Sequence, residues 1–188
     1  MSRLLPPDLL SHLKAIRYAV FDFDGVFTTN EVIVREDGVE AVICNRSDGY
    51  GVRLLSEVAV GMLILSTETN PVVHARAKKL KIEAIAGIES KGERLVAFMK
   101  ERGLLPHTVA YVGNDVNDLP CFEKVGLPVA VGDAFSEVKT AAKWVLAASG
   151  GRGAVREFCE LVYRAKYDVP LTESVWIYRD KRAPETVL

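Results

Sequence analysis

Apolar residues along this chain fall into two alternating rhythms. Short, mostly apolar runs occupy 18–21, 62–66, 83–86, 109–113, 127–131 and 144–147, as expected of strands covered on both faces. Between them, stretches near 47–58, 71–81, 90–102, 116–125 and 134–142 repeat apolar positions at helical spacing, as Val52, Leu54, Leu55 and Val58 do, and a last helical stretch covers 153–166. Strand and helix in regular succession predict an α/β fold, a doubly wound, Rossmann-like parallel sheet. Residues 1–16 read as a short leading helix after Pro6 and Pro7, with Asp8 as its cap and its leucines laid on the core. Ser47 or Asp48 is expected to cap the helix that follows.

One segment breaks the rhythm. Over 31–44, EVIVREDGVEAVIC, Val/Ile runs flank Asp37-Gly38, a hairpin signal set directly after the first strand. A two-stranded ribbon is marginal in water alone, so its valines and isoleucines predict packing against another subunit. No separate cap domain is expected. The chain reads as a single domain over 1–188, with a core at 17–166, this insertion, and a tail at 167–188 without clear period.

Composition changes this picture only at the margins. With 188 residues, 49% of them hydrophobic, the chain can bury a sizeable core without disulfides. A net charge of -1 with mixed signs offers no basic footprint for nucleic acid and no polybasic arm for a membrane, so an anionic ligand must be held locally. Cys44, Cys121 and Cys159 form no CxxC pair and read as reduced core residues, which suits a cytoplasmic protein. Neither a signal peptide nor a membrane-spanning run is expected, and His12, His74 and His107 are too scattered for a histidine metal site.

The candidate chemistry lies at strand ends. The first strand runs into Asp22-Phe23-Asp24-Gly25, where alternation aims both carboxylates to one side and Phe23 into the core. Two carboxylates this close stay ionised only with a cation or donors between them, which predicts a hard metal with oxygen ligands, most simply magnesium. A strand-end turn with solvated aspartates is the plainer reading of such a pair alone. Ser66 and Thr67 follow the second strand, with Asn70-Pro71 opening a helix, so hydroxyls and free amides there suit either a phosphate or simple capping. Lys91 heads a helix, where a cation suits an arriving anion, or plain solvent. Gly113-Asn114-Asp115-Val116-Asn117-Asp118 crowds side-chain oxygens after the strand at 109–113, with Asp118 capping or bracing the next helix.

In order, DxD, then Ser/Thr, then Lys, then GNDxxD, each at its strand, resembles the haloacid dehalogenase-like phosphatase superfamily. The hairpin after FDFDGVFT, DGYG at 48–51 and GGRGAVRE at 150–157 resemble its small capless branch. That branch holds 3-deoxy-D-manno-octulosonate 8-phosphate phosphatases, nonulosonate 9-phosphate phosphatases and the phosphatase-like domain of acylneuraminate cytidylyltransferases. The resemblance covers about 17–165 and implies a homotetramer built by the hairpins, each site closed by a neighbour.

It also implies roles. Asp22 would be the nucleophile that forms an aspartyl-phosphate, and Asp24 the acid and then base. Ser66 and Lys91 would hold the phosphoryl oxygens, with magnesium on the Asp22 carboxylate, the Asp24 carbonyl and Asn114, backed by Asp115 and Asp118. The phosphatases of this branch usually carry Asp where this chain has Asn114, so metal affinity should fall. The Gly-Asn form resembles the cytidylyltransferase-attached domains, which implies a weakly active module assembling with acylneuraminate cytidylyltransferase as an alternative. Octulosonate phosphatases carry Gly-Arg after the hydroxyl residue, whereas Thr67-Glu68 stands here and resembles the nonulosonate type. The implied substrate is therefore a phosphorylated sugar acid, first a sialic-acid-type nonulosonate 9-phosphate, alternatively the octulosonate 8-phosphate. Arg152 would read its carboxylate or be a surface residue, and Glu68 would accept sugar hydroxyls or sit in a helix's first turn.

Overall fold

The computed structural model describes residues 5–170 together with 174 and 175. In chain order the first half holds α1 (Pro7–Ala15), β1 (Tyr18–Phe21), β2 (Thr28–Val34), β3 (Glu40–Cys44), α2 (Asp48–Glu57), β4 (Gly61–Leu65), α3 (Val72–Leu80) and β5 (Glu83–Ile85). The second half holds α4 (Lys91–Glu101), β6 (Val109–Gly113), α5 (Leu119–Phe122), β7 (Leu127–Ala130), α6 (Ser136–Ala141), β8 (Trp144–Val145) and α7 (Ala154–Tyr167).

Six strands form one parallel sheet in the order β5-β4-β1-β6-β7-β8, and β2 pairs with β3 alone. This is the doubly wound α/β arrangement expected, and the hairpin is its insertion. β1 is buried along its whole length because helices cover both faces: α1 and α2 pack on α7, and α4 and α6 pack on α5. The chain builds outward from β1 through β4 to β5, then crosses to β6 and builds the other way. The switch point therefore lies between β1 and β6, where a crevice opens beyond the strand ends.

Register decides what reaches that crevice. Phe21 is level with Ile64 of β4 and Val112 of β6, so Asp22, Leu65 and Gly113 come next together. Loops 22–25, 66–70 and 113–118 thus leave the same edge of the sheet. Beneath them Phe21 meets Phe27 and Phe158 edge to face, at ring separations of 5.5 and 5.7 Å, and Phe23 is buried as alternation predicts.

Several expectations need correction. The stretch near 116–125 is a 3-10 turn, Val116–Asp118, followed by the single-turn α5, because Asp118 folds back onto amides 114 and 115 and Pro120 has no amide to donate. α6 starts only at Ser136, since Ala134 and Phe135 donate to Val131 and Asn114 carbonyls in a turn. β8 stops at Val145: the Leu146 amide still reaches Ala130, but those of Ala147 and Ala148 turn to the Glu157 carboxylate. Asp8 is no cap, as Pro6 holds that position. Neither Ser47 nor Asp48 caps α2 through its side chain. Asp48 is buried and faces Arg76 at 3.4 Å, while Arg76 also donates to the Asn45 carbonyl at 2.6 Å. Burial, opposed by Arg76, pushes Asp48 up to about 6. Cys121 and Cys159 are core residues as expected, but Cys44 is only half-buried at the hairpin's end.

The hairpin begins at Thr28 rather than 31, and its turn uses Gly38 at φ +78°. Its side chains stand in the open, with Ile33 55% and Val34 63% exposed. Most of the expected tail lies outside the described residues. Within it, Val169 and Val175 are buried with Leu54 and Tyr163. Among the described residues no helix is long and apolar enough to cross a membrane.

Candidate active site

At the β1–β6 switch point a buried polar cluster replaces the apolar core. Lys91, at the head of α4, places Nζ 2.8 Å from Asp22 Oδ1 and 2.8 Å from Asp118 Oδ1. Asp118 is held from three further sides: Tyr111 donates its hydroxyl to Oδ1 at 2.8 Å, and the amides of Asn114 and Asp115 donate to Oδ2 at 2.9 and 3.3 Å. All four side chains are buried, so Lys91 is not the solvated lysine that its helix position also allowed. Burial lowers the Lys91 pKa, but Asp22 and Asp118 outweigh it and leave the lysine above its ordinary value.

Asp22 is aimed by its own surroundings. Its Oδ1 accepts from the Phe23 amide at 2.7 Å as well as from Lys91, while among the described residues Oδ2 accepts no hydrogen bond. One oxygen is therefore fixed and the other left free to attack. Burial first, then the Asp118 charge, pushes Asp22 up to about 7 against the pull of Lys91 and the Phe23 amide. An ionised nucleophile in this place calls for a cation beyond the one lysine.

The turn that carries Asn114 offers a place for it. Asn114 is buried, and its Oδ1 has no hydrogen-bond partner, a costly state for a buried acceptor. Its amide lies against the aspartate loop: a Cβ on Gly25, at φ +72°, would fall 2.0 Å from Asn114 Nδ2. An orphaned oxygen beside a carboxylate with surplus negative charge fits a hard divalent cation, with the Asp24 carbonyl within the same loop. Among the described residues no three His, Cys, Asp or Glu side chains converge to hold a metal, so such a site would be poor in charge. Asp115 is engaged in a capping box with Asp118, its Oδ1 accepting from the Val116 amide.

Asp24 stands at the mouth, half-buried, with Thr28 Oγ1 donating to its Oδ1 at 3.5 Å. Burial, then the charge of Glu68, raises its pKa, as suits a carboxyl that must hold a proton before giving it up. Ser66 is buried, its Oγ accepting from the Glu68 amide at 3.1 Å, and Thr67 is exposed. The Asn70 side chain caps the Val72 amide at 3.1 Å. Asp24, Glu68 and Asn70 line a cavity of about 240 Å³ with Asn30, Glu31 and Glu40, so the hairpin forms one of its walls. Four carboxylates and two amides face this space, and among the described residues no Lys or Arg lines it. Arg152 is not among the lining residues. It is exposed on the loop before α7, the surface position that was the alternative to reading a carboxylate.

Of the residues singled out in the sequence, the structure brings Asp22, Lys91, Asn114 and Asp118 together and places Asp24 and Glu68 on the cavity, while Tyr111 and Thr28, which join them, were not singled out. A tyrosine inside the apolar run VAYVG was the available signal, since a buried hydroxyl needs a partner.

A buried carboxylate with one oxygen free, a buried lysine beside it and a half-buried second acid at a parallel-sheet switch point are the groups a hydrolase with a carboxylate nucleophile would need. Comparison with known proteins makes the class specific. The haloacid dehalogenase-like hydrolase profile matches residues 66–157. The 3-deoxy-D-manno-octulosonate 8-phosphate phosphatase of Escherichia coli strain K12 is 34% identical over 162 residues, 85% of each chain. A haloacid dehalogenase family hydrolase from Streptomyces avermitilis superposes with a TM-score of 0.78 at 47% identity, covering 84% of this chain and 88% of that one. The Moraxella catarrhalis octulosonate 8-phosphate phosphatase, solved with magnesium, phosphate and its sugar, superposes with a TM-score of 0.82 at 28% identity over 86% and 93%. The chain belongs to the haloacid dehalogenase-like hydrolase family, and within it is a phosphoric monoester hydrolase.

Proposed function

We propose that this protein is a divalent-metal-dependent phosphatase of 3-deoxy-D-manno-octulosonate 8-phosphate. The observation that carries the reading is the Asp22–Lys91–Asp118 cluster beside the unpartnered Asn114 oxygen, with Asp24 of the same loop lining a cavity rich in hydroxyl acceptors. Two of the relatives named above are octulosonate 8-phosphate phosphatases, one of them solved with the sugar, which favours this substrate over the nonulosonate expected first.

In the reaction, Asp22 Oδ2 attacks phosphorus while the bond to the sugar oxygen breaks and Asp24 gives that oxygen its proton. Water then attacks the acyl phosphate, Asp24 takes its proton, and the phosphorus bond to Asp22 breaks to release inorganic phosphate. Lys91 and Ser66 hold the phosphoryl oxygens. The Asp22 carboxylate, the Asp24 carbonyl and Asn114 Oδ1 would hold the divalent metal, which would supply positive charge to offset the negative charge of the phosphoryl group.

The exposed hairpin supports assembly as a homotetramer in which a neighbour closes the cavity and brings a cation for the sugar carboxylate, since no described Lys or Arg lines it. Release of phosphate from a panel of sugar phosphates, with and without chelator, tests the function. Turnover of the octulosonate 8-phosphate with metal only is expected, and no turnover of any 2-keto-3-deoxy sugar phosphate by the metal-replete protein refutes it. Glu68 in the cavity favours a second reading, a nonulosonate 9-phosphate. Preference for that substrate, lost in Glu68→Arg, would establish it. Partnership with acylneuraminate cytidylyltransferase rests on Asn114, and activity that appears only in Asn114→Asp would favour that role.

A further inference from the structure

The glycine-rich segment GGRGAVRE takes no part in the chemistry described so far, yet it lies directly on the aspartate loop. Gly150 and Gly151 are packed on backbone: a Cβ on Gly150 would fall 1.8 Å from the Gly25 carbonyl oxygen, and one on Gly151 2.4 Å from the Thr28 carbonyl carbon. The Gly151 amide donates to the Val26 carbonyl at 3.0 Å. No side chain fits between these two segments, so wherever 150–151 stands, 25–28 must follow.

Two carboxylates fix where it stands. Glu157, in the first turn of α7, spans the preceding loop, with Oε1 accepting from the Ala147 amide at 3.0 Å and Oε2 from the Ala148 amide at 2.7 Å. Asp133, on the loop after β7, accepts the Gly150 amide at 2.8 Å. The Gly132 amide joins the same loops through the Ala148 carbonyl at 2.9 Å. At the far end of the contact, Thr28 Oγ1 accepts the Gly25 amide at 3.1 Å and donates to Asp24 Oδ1 at 3.5 Å.

We propose that Glu157 and Asp133 are positioning residues for Asp24, acting through Gly150 and Gly151 on the backbone of 25–28 and through the Thr28 hydroxyl. The inference rests on Asp24 being the proton donor of the proposed reaction. Asp22 is held separately, by Lys91 and the Phe23 amide, so a shift of the 147–151 loop acts on the proton donor and spares the nucleophile.

That separation supplies the test. kcat/KM reports steps up to departure of the leaving group, and an alkyl leaving oxygen needs a proton where a 4-nitrophenolate does not. In Glu157→Ala and Asp133→Ala, kcat/KM for the octulosonate 8-phosphate should fall about 30-fold or more, as a displaced catalytic group does, against less than about threefold for 4-nitrophenyl phosphate. Glu157→Gln, which keeps one acceptor, should recover part of the loss and serves if the alanine variant does not fold. Amide hydrogen exchange gives a reading independent of turnover: Gly25 and Gly151 should lose protection while the β1 and β6 amides keep theirs. Equal losses on both substrates, or unchanged protection at Gly25, would overturn the proposal. Asp24→Asn is the control. If it shows no leaving-group dependence, the assignment of Asp24 is at fault; if it does and the Glu157 and Asp133 variants do not, the positioning role is.

Discussion

The carboxyl edge of the sheet and the hairpin beside it are built on opposite terms. At the edge, Asp22, Lys91, Tyr111 and Asp118 are buried and bonded to one another, and the buried Asn114 Oδ1 stands beside them without a partner. On the hairpin, Ile33 and Val34 face outward, and the cavity wall that it makes with Glu31 and Glu40 carries no cation. Under the function and assembly proposed above, the contrast means that phosphoryl chemistry is preorganised within one chain, while recognition of the rest of the substrate falls to a neighbour.

If that division is right, damage to each region should look different. The largest effect belongs to Asp22→Asn, which removes the nucleophile and should lower kcat by about 10⁴-fold or more while sparing the fold; undiminished phosphate release would refute the assignment. Lys91→Met leaves Asp22 and Asp118 buried without a counter-charge. It should lose about 3 kcal/mol of stability in a denaturant melt and about 10²-fold or more in kcat.

Asp48 sits where the two regions join, between the hairpin's exit and α3. Burial raises its folded-state pKa from 3.8 to about 6, so the protonated form is favoured in the folded chain and stability is lost as pH rises from about 4 through about 6. Asp48→Asn, which cannot ionise, should gain on the parent by about 2 kcal/mol between pH 4 and pH 7 in melts run side by side; parallel curves would contradict the burial argument. The smallest effect falls on the hairpin. Ile33→Glu with Val34→Glu should shift the assembly towards smaller species in sedimentation and lower kcat/KM about tenfold. The stability of the chain itself should change by less than about 0.5 kcal/mol.

What could be read from the residues follows the same division. β1 was legible as a fully apolar run, and its two aspartates gained meaning only because the strand–helix succession placed Lys91 and Asn114 at the same edge. The pairing of Asp48 with Arg76 was not, since nothing local marks a partner 28 residues away. Tyr111 and Thr28 escaped for the same reason: each looks like a strand residue until the fold brings an acid to it. Arg152 shows the converse, a cation in a glycine-rich motif whose exposed position follows from its place between two backbone-packed glycines and α7. The substrate was the least legible of all, because a cavity wall of Glu31, Glu40 and Glu68 names an acceptor of hydroxyls and no particular sugar.

The most direct test of the account is to trap the covalent intermediate. Borohydride added during turnover of the octulosonate 8-phosphate with magnesium should reduce an aspartyl-phosphate to homoserine, and peptide mass spectrometry should find that change at residue 22 and lose it with chelator. Phosphate release that continues while residue 22 stays unmodified, or modification at another carboxylate, would contradict it.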